Sequence, residues 1–333
     1  MELVAIWIIG LAVVLVGGSV LFTAMTAYSV EKAVPPLGRF IDIGGAPIHY
    51  FDQGSGPAVV MIHGLGSQMR TFTYALLAEM GRDFRVILVD RPGSGYSKRA
   101  RGTSARLTAQ ASTVAGLITA LGLERPLVVG HSLGGAVALA LALDHPEQVG
   151  GLALIAPLTH PQNEPPYVMR RLAVNSPMLR WLTAWTLATP SSMRAGPVVL
   201  ETVFGPDPVP REFGTKGGGL LGLRPSSFYG ASSDLVAVHE DLPDMVERYP
   251  SLTIPVGVLM GTGDRILDYV ANAEALRKKV PGLDVELVEN GGHMTPLTAP
   301  KRSAQFIIRM ARRVSTVQAA GPVAAVWRDR KGA

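Results

Sequence analysis

No cysteine occurs among the 333 residues. This excludes disulfides, thiolate nucleophiles and cysteine-ligated metals, and leaves the redox compartment open. Charged side chains are scarce as well, 17% against 47% hydrophobic, and the scarcity is concentrated: none lies between Leu3 and Tyr28. About 20 apolar residues in a helix cross a bilayer core, so residues 1–34 are read as a single-pass membrane anchor with a short spacer, making membrane lipid a partner. The rival reading is a cleaved signal peptide. Against it, no Lys or Arg precedes the run, the run exceeds a usual apolar signal core, and a cut after Ala27 would place Met25 at the −3 position. Lys32 and Arg39 follow the span, which by the positive-inside rule favours a cytoplasmic body.

The net charge of +5 is unevenly placed. From Lys301 onward eight basic residues stand against Asp329 alone, so this end carries +7 and residues 1–300 carry −2. Residues 314–333 read as a basic, disordered tail. Residues 300–313 have the pattern of an amphipathic helix with Ala304, Ile307 and Ala311 inward, its outward basic residues placed to meet anionic headgroups or simply water. Nothing indicates a nucleic-acid partner or a metal, and Gly217–Gly219 lacks the preceding strand and following helix of a phosphate loop. No cofactor is expected. Oligomeric state is left open.

After Pro35-Pro36, Arg39–Ile43 and Pro47–Asp52 flank Gly44-Gly45 and read as a hairpin. Short apolar, β-branched runs then recur at 58–64, 85–90, 127–132, 151–157, 254–261 and 284–289, as in strands buried on both faces. Helical patterns separate them at 70–81, 104–122, 133–145, 270–279 and 300–313. Strand–helix alternation predicts an α/β fold with a mainly parallel central sheet flanked by helices. Residues 158–250 break the rhythm with prolines and long apolar stretches, which predicts a helical cap inserted after the sixth strand. The core is then split into 38–157 and 251–313. In the cap, Trp181, Leu182, Trp185, Leu187 and Phe204 are candidates to line an apolar pocket.

Gly130-His131-Ser132-Leu133-Gly134 lies directly between the strand run LVV and the helical run GAVALALALDH. A serine on so sharp a turn is exposed at the sheet's carboxyl end and at a helix N-terminus, where developing negative charge is favoured. Ser132 is therefore the candidate nucleophile, and it needs a positioned base. Of seven histidines, His293 follows a strand within Asn290-Gly291-Gly292-His293, at the edge where sites in open α/β sheets gather. His131, inside the elbow, is expected to face elsewhere. Asp264 ends IPVGVLMGTGD and is the candidate carboxylate partner. Asp268 sits where a helix cap is expected, and Ala156-Pro157-Leu158-Thr159 offers no acid after the sixth strand. The oxyanion donors are expected to be the amides of Leu133 and Leu65, with His63 and Gly64 supporting the latter's loop.

These marks, together with Asp90-Arg91-Pro92-Gly93-Ser94-Gly95-Tyr96-Ser97, resemble the α/β-hydrolase superfamily in its helical-cap branch, over about residues 38–313. The resemblance implies a lidded pocket over the sheet and serine hydrolase chemistry. Dehalogenases and epoxide hydrolases of the family carry aspartate where this chain has Ser132, which argues against both chemistries. Esterases, lipases, thioesterases, carbon–carbon bond hydrolases and perhydrolases share the serine triad. A small apolar ester is the expected substrate, and a non-catalytic binding protein on the same fold is the different-class alternative. The anchor combined with a cap is also similar in architecture to membrane-bound monoacylglycerol lipases.

Overall fold

The computed structural model describes residues 2–320. Its first element is a long helix, α1 (Glu2–Ala33), the one helix among the described residues long and apolar enough to cross a membrane.

Strands β1 (Arg39–Ile43) and β2 (Ala46–Gln53) form the hairpin, with Arg39 opposite Tyr50 and Ile43 opposite Ala46. Its turn needs two residues at positive φ, and Gly44 and Gly45 take 63° and 82°. The remaining strands are β3 (Ala58–Ile62), β4 (Arg85–Val89), β5 (Leu127–His131), β6 (Gly151–Ile155), β7 (Val256–Gly261) and β8 (Asp284–Val288). They complete an eight-stranded sheet in the order β1-β2-β4-β3-β5-β6-β7-β8. β1 and β2 pair antiparallel, as do β2 and β4; every later pairing is parallel.

Parallel strands carry helices on both faces and read as apolar throughout. Val60 and Ile62 point into one apolar layer with α2 (Leu107–Ala120) and α3 (Leu133–Asp144). Val59 and Met61, on the alternate face, meet Phe306, Ile307 and Met310 of α7 (Pro300–Ala320). Between β6 and β7 the chain leaves the sheet and builds α4 (Pro177–Thr186), α5 (Ala188–Phe204) and α6 (Pro225–Arg248).

Two local expectations need correction. The helix expected over 70–81 is two short turns, Arg70–Thr73 and Leu76–Glu79. The last helix does not stop at 313: it runs to Ala320, with Val314 buried in the core and the Gln318 side chain donating to the Arg125 carbonyl at 3.0 Å. Of the expected tail, residues 321–333 lie outside the described residues.

Candidate active site

The carboxyl ends of β3, β5, β7 and β8 bring four short loops together. After β5, Ser132 sits at φ 55° and ψ −122°, a region L-residues rarely occupy, as the N-cap of α3. The turn closes because two glycines permit backbone contact. A Cβ on Gly134 would lie 2.2 Å from the Ile62 carbonyl oxygen, and one on Gly130 would lie 2.5 Å from the Gly134 carbonyl oxygen. The Ser132 amide donates to the Ile155 carbonyl at 3.0 Å, tying the turn to β6.

Beyond β7, the Asp264 side chain is buried, and one carboxylate oxygen, Oδ1, accepts the Ile266 and Leu267 amides at 2.7 and 3.0 Å. Its other oxygen, Oδ2, accepts from His293 Nδ1 at 2.7 Å. Burial pushes the Asp264 carboxyl up, but the adjacent imidazole and the two amides outweigh it and hold the group below its ordinary value. With Nδ1 so engaged, Nε2 is the ring nitrogen left to serve as base. Ser132 and His293 line one cleft of ≈ 650 Å³. The structure closes the Asp264–His293 bond; it does not close one between Ser132 and His293. Asp268 caps its helical turn, accepting from the Ala271 amide at 2.7 Å.

Leu65 borders this cleft, and Leu65 and Leu133 together with Ser132 border a smaller apolar recess of ≈ 50 Å³. The loop carrying Leu65 is held from below. His63 Nδ1 donates to the Gly64 carbonyl at 2.9 Å, and its Nε2 accepts the Arg91 amide at 3.0 Å. Arg91, fully buried, donates through Nε to the His63 carbonyl and through Nη2 to the Gly64 carbonyl, both at 2.9 Å. Asp90, next to it, accepts from His49 Nδ1 at 2.7 Å and from the Met69 and Tyr96 amides at 2.8 and 2.9 Å. The Asp90–Ser97 stretch thus knits the floor of the site.

Two features of the site are invisible in the sequence. His131 does not face elsewhere: Nε2 donates to the His293 carbonyl at 3.0 Å, and the two rings lie 5.0 Å apart. The strand end turns His131 toward the β8 loop, so the elbow holds the His293 backbone as well as carrying Ser132. Asp207, after α5, accepts the Gly292 amide at 3.1 Å and the Thr298 hydroxyl at 3.0 Å, steadying the His293 loop from the helical insertion. A lone carboxylate among prolines gives no signal that would have found it.

The cap side chains also divide differently. Phe204 lines the cleft. Trp181, Leu182 and Leu187 do not; they are exposed by 57%, 46% and 64%. Trp185, on the same helix face, is half-buried and does not line the cleft either. The face of α4 that meets the protein carries Arg180 and Ala184 instead.

Burial, then the Arg91 charge, lowers the His63 pKa to about 3; burial, then the His293 ring, lowers that of His131 to about 3. Both stay neutral in the fold while the unfolded chain takes up their protons near pH 6.5. Their stabilisation is therefore complete above that pH and drains away as pH falls toward 3, by about 1.4 kcal/mol per pH unit for each in the steep range. The unfolding midpoint in urea is expected to drop between pH 7 and pH 4.5, and His131→Gln to flatten the slope by roughly one proton. An unchanged slope in that variant would assign the acid sensitivity elsewhere.

The chain belongs to the alpha/beta hydrolase family, whose model matches residues 59–306. An uncharacterized protein of Mycobacterium tuberculosis is 30% identical over 290 residues, 84% of this chain and 82% of that one. A 2-hydroxy-6-oxononadienedioate/2-hydroxy-6-oxononatrienedioate hydrolase of Burkholderia vietnamiensis is 27% identical over 272 residues, 80% of this chain and 91% of that one. Among solved structures, a membrane phospholipase A described as a bacterial virulence factor superposes with a TM-score of 0.66 at 24% identity, covering 94% of this chain and 97% of that one. At that identity the likeness concerns the fold.

Proposed function

We propose that this chain is a membrane-anchored serine hydrolase that cleaves a carboxylic ester with an apolar part through an acyl-enzyme on Ser132. The observation that carries the reading is the 2.7 Å Asp264–His293 pair at the edge of an apolar cleft that Ser132 also lines. Asp264 fixes the imidazole tautomer and stabilises the imidazolium. His293 Nε2 takes the Ser132 proton as Oγ adds to the ester carbonyl carbon. The Leu65 and Leu133 amides hold the resulting oxyanion. Collapse of the tetrahedral intermediate breaks the carbon–oxygen bond, and the leaving alkoxide takes the proton from His293. Water, deprotonated by the same nitrogen, then adds to the acyl-enzyme and releases the acid and the free serine.

The two unequal spaces around Ser132 support an asymmetric substrate, with a long apolar part in the ≈ 650 Å³ cleft and a small one in the ≈ 50 Å³ recess. Val168, Met169, Leu200, Val203 and Phe213 give the large cleft its apolar wall. On a panel of esters graded separately by acyl and by alcohol length, kcat/KM is expected to climb along one axis by about fourfold per methylene until the cleft is full. It is expected to fall along the other axis after one or two carbons. A flat response on both axes would overturn the assignment of the spaces.

Carbon–carbon bond hydrolysis is the second reading, supported by the names of relatives such as the Burkholderia enzyme and by two guanidinium groups on the cleft wall, Arg171 and Arg211. Such a substrate carries a carboxylate that one of these would hold. Turnover of a dienol carboxylate, lost in Arg211→Ala or Arg171→Ala while ester turnover persists, would favour it.

α1 is read as the anchor. Residues 2–18 stand clear of the body on every side, as a lipid-embedded segment does and the core helix of a soluble protein does not.

A further inference from the structure

An amphipathic helix on a water-soluble protein turns its apolar stripe to the core and its polar side outward. α4 does the reverse. Met178, Trp181, Leu182 and Trp185 recur at the spacing of one helix face; Met178, exposed by 75%, Trp181 and Leu182 point away from the protein, and Trp185 is half-buried at its end. The opposite face presents Arg180, whose guanidinium is buried and donates to the Ser232 and Ser233 hydroxyls, both at 2.9 Å, and to the Val174 carbonyl. The stripe continues through Leu187, also exposed, into α5. A run of large apolar side chains left in the open marks a contact surface.

The position of α1 identifies what lies against it. Its first part, residues 2–18, is exposed throughout and spans about 25 Å at the helical rise per residue, close to the thickness of a bilayer core. From Ser19 onward one face of the helix rests on the protein: the Ser19 hydroxyl donates to the Thr186 carbonyl at the end of α4, Thr23 is buried, and Val30, with Val34 just past the helix end, packs on Leu221, while Leu21, Met25 and Tyr28 on the other side stay exposed. The Ser19–Thr186 bond sets the end of α4 level with the point where the free part of α1 begins. If residues 2–18 lie in hydrocarbon, that level is the lipid–water boundary, the depth at which tryptophan and leucine side chains are favoured.

We propose that α4 is an interfacial helix: its Met178–Trp181–Leu182–Trp185 face lies in the headgroup and upper acyl region of the bilayer that α1 crosses. The inference rests on the anchor reading of α1. Its consequence for the site is access from lipid. α5 follows α4 directly and carries Met193, exposed by half, into the lining of the cleft that holds Ser132, so the cleft wall would continue from the face of α4 that meets the lipid. An apolar substrate dissolved in the membrane would reach the serine without crossing water.

The test uses the four tryptophans, Trp7, Trp181, Trp185 and Trp327. Full-length protein retaining only Trp181 or only Trp7, the others changed to Phe, is reconstituted into phosphatidylcholine vesicles whose acyl chains carry bromine at a shallow or a deep carbon. Trp181 is expected to lose roughly half its emission to shallow bromine and far less to deep bromine, the pattern of an aromatic at the interface. Trp7, within the free part of α1, is expected to be quenched by bromine in the acyl chains. Quenching of Trp7 with none of Trp181 keeps the anchor and overturns the proposal, as it would if a second copy of the chain covered α4. Quenching of Trp181 with none of Trp7 supports an interfacial α4 and overturns the anchor. Quenching of neither overturns both.

Discussion

Ser132→Ala is expected to fold as the parent does and to lose about 10⁶-fold in kcat on any ester the parent cleaves, together with all labelling by a fluorophosphonate. The size of the loss follows from how the parts depend on one another. In the proposed mechanism His293 and Asp264 take one proton, from the Ser132 hydroxyl, and with that hydroxyl gone the 2.7 Å pair would have nothing to activate. What would survive is substrate binding and the proposed oxyanion amides of Leu65 and Leu133, such a remainder being worth about 10³ to 10⁴ over water in serine triads. Because the loss belongs to the unit, His293→Ala added to Ser132→Ala should cost nothing more. Asp264→Asn should cost about 10⁴, since the amide can hold the ring in the wrong tautomer. The serine's backbone supplies an independent check. At φ 55° and ψ −122° the site suits glycine, so Ser132→Gly is expected to unfold at higher temperature than the parent while equally inactive, strain at such positions costing about 1–3 kcal/mol. Labelling that persists in Ser132→Ala, or folded parent protein that takes no label, would remove Ser132 as the nucleophile.

The structural features legible in sequence are those whose causes are local. A strand buried on both faces must be apolar along its length, so β3, β5, β6 and β7 stand out as runs; Gly44-Gly45 announces its turn through the positive φ it requires; and the strained turn at Ser132 is announced by the two glycines that let it close. Asp264 and His293 were reachable because each ends or follows such a run. What escaped depends on partners distant along the chain. The direction of His131 is set by a carbonyl 162 residues away. Trp181, Leu182, Trp185 and Leu187 were legible as apolar cap residues, but apolar character does not tell whether a face meets a pocket or points outward. Arg91 was legible as part of the Asp90–Ser97 stretch, and its task was not, since its one counter-charge, Asp234, comes from a helix more than a hundred residues later.

That helix supplies the second large effect. Asp234→Ala, in α6, is expected to destabilise the protein by about 3–5 kcal/mol, read as the shift in urea midpoint, because it strands the buried Arg91 guanidinium without its counter-charge. Arg91 and Asp234 are both fully buried, and Nη1 of Arg91 donates at 2.6 Å to Asp234 Oδ2 and at 2.6 Å to Gln110 Oε1. Arg99 pairs with the other carboxylate oxygen, but it is partly exposed and can turn to water once the acid is gone. Arg91 cannot, since its remaining donors grip the His63 and Gly64 carbonyls. Any shift it makes toward water must drag the loop that carries Leu65, the proposed oxyanion donor. Activity should therefore fall further than the unfolded fraction explains, with kcat reduced about tenfold or more at saturating substrate, as when an oxyanion donor is displaced. Asp234→Asn keeps shape and one acceptor, and should fall between parent and alanine variant in both measurements. The decisive comparison is Arg91→Met with Asp234→Leu. Replacing both members of a buried pair by apolar groups is often neutral or stabilising, so the double variant should recover most of the stability lost in Asp234→Ala. It should not recover kcat, because the loop carrying Leu65 still lacks its brace. Equal recovery of stability and kcat would mean that Arg91 serves the fold alone and that the loop after β3 holds its shape without it.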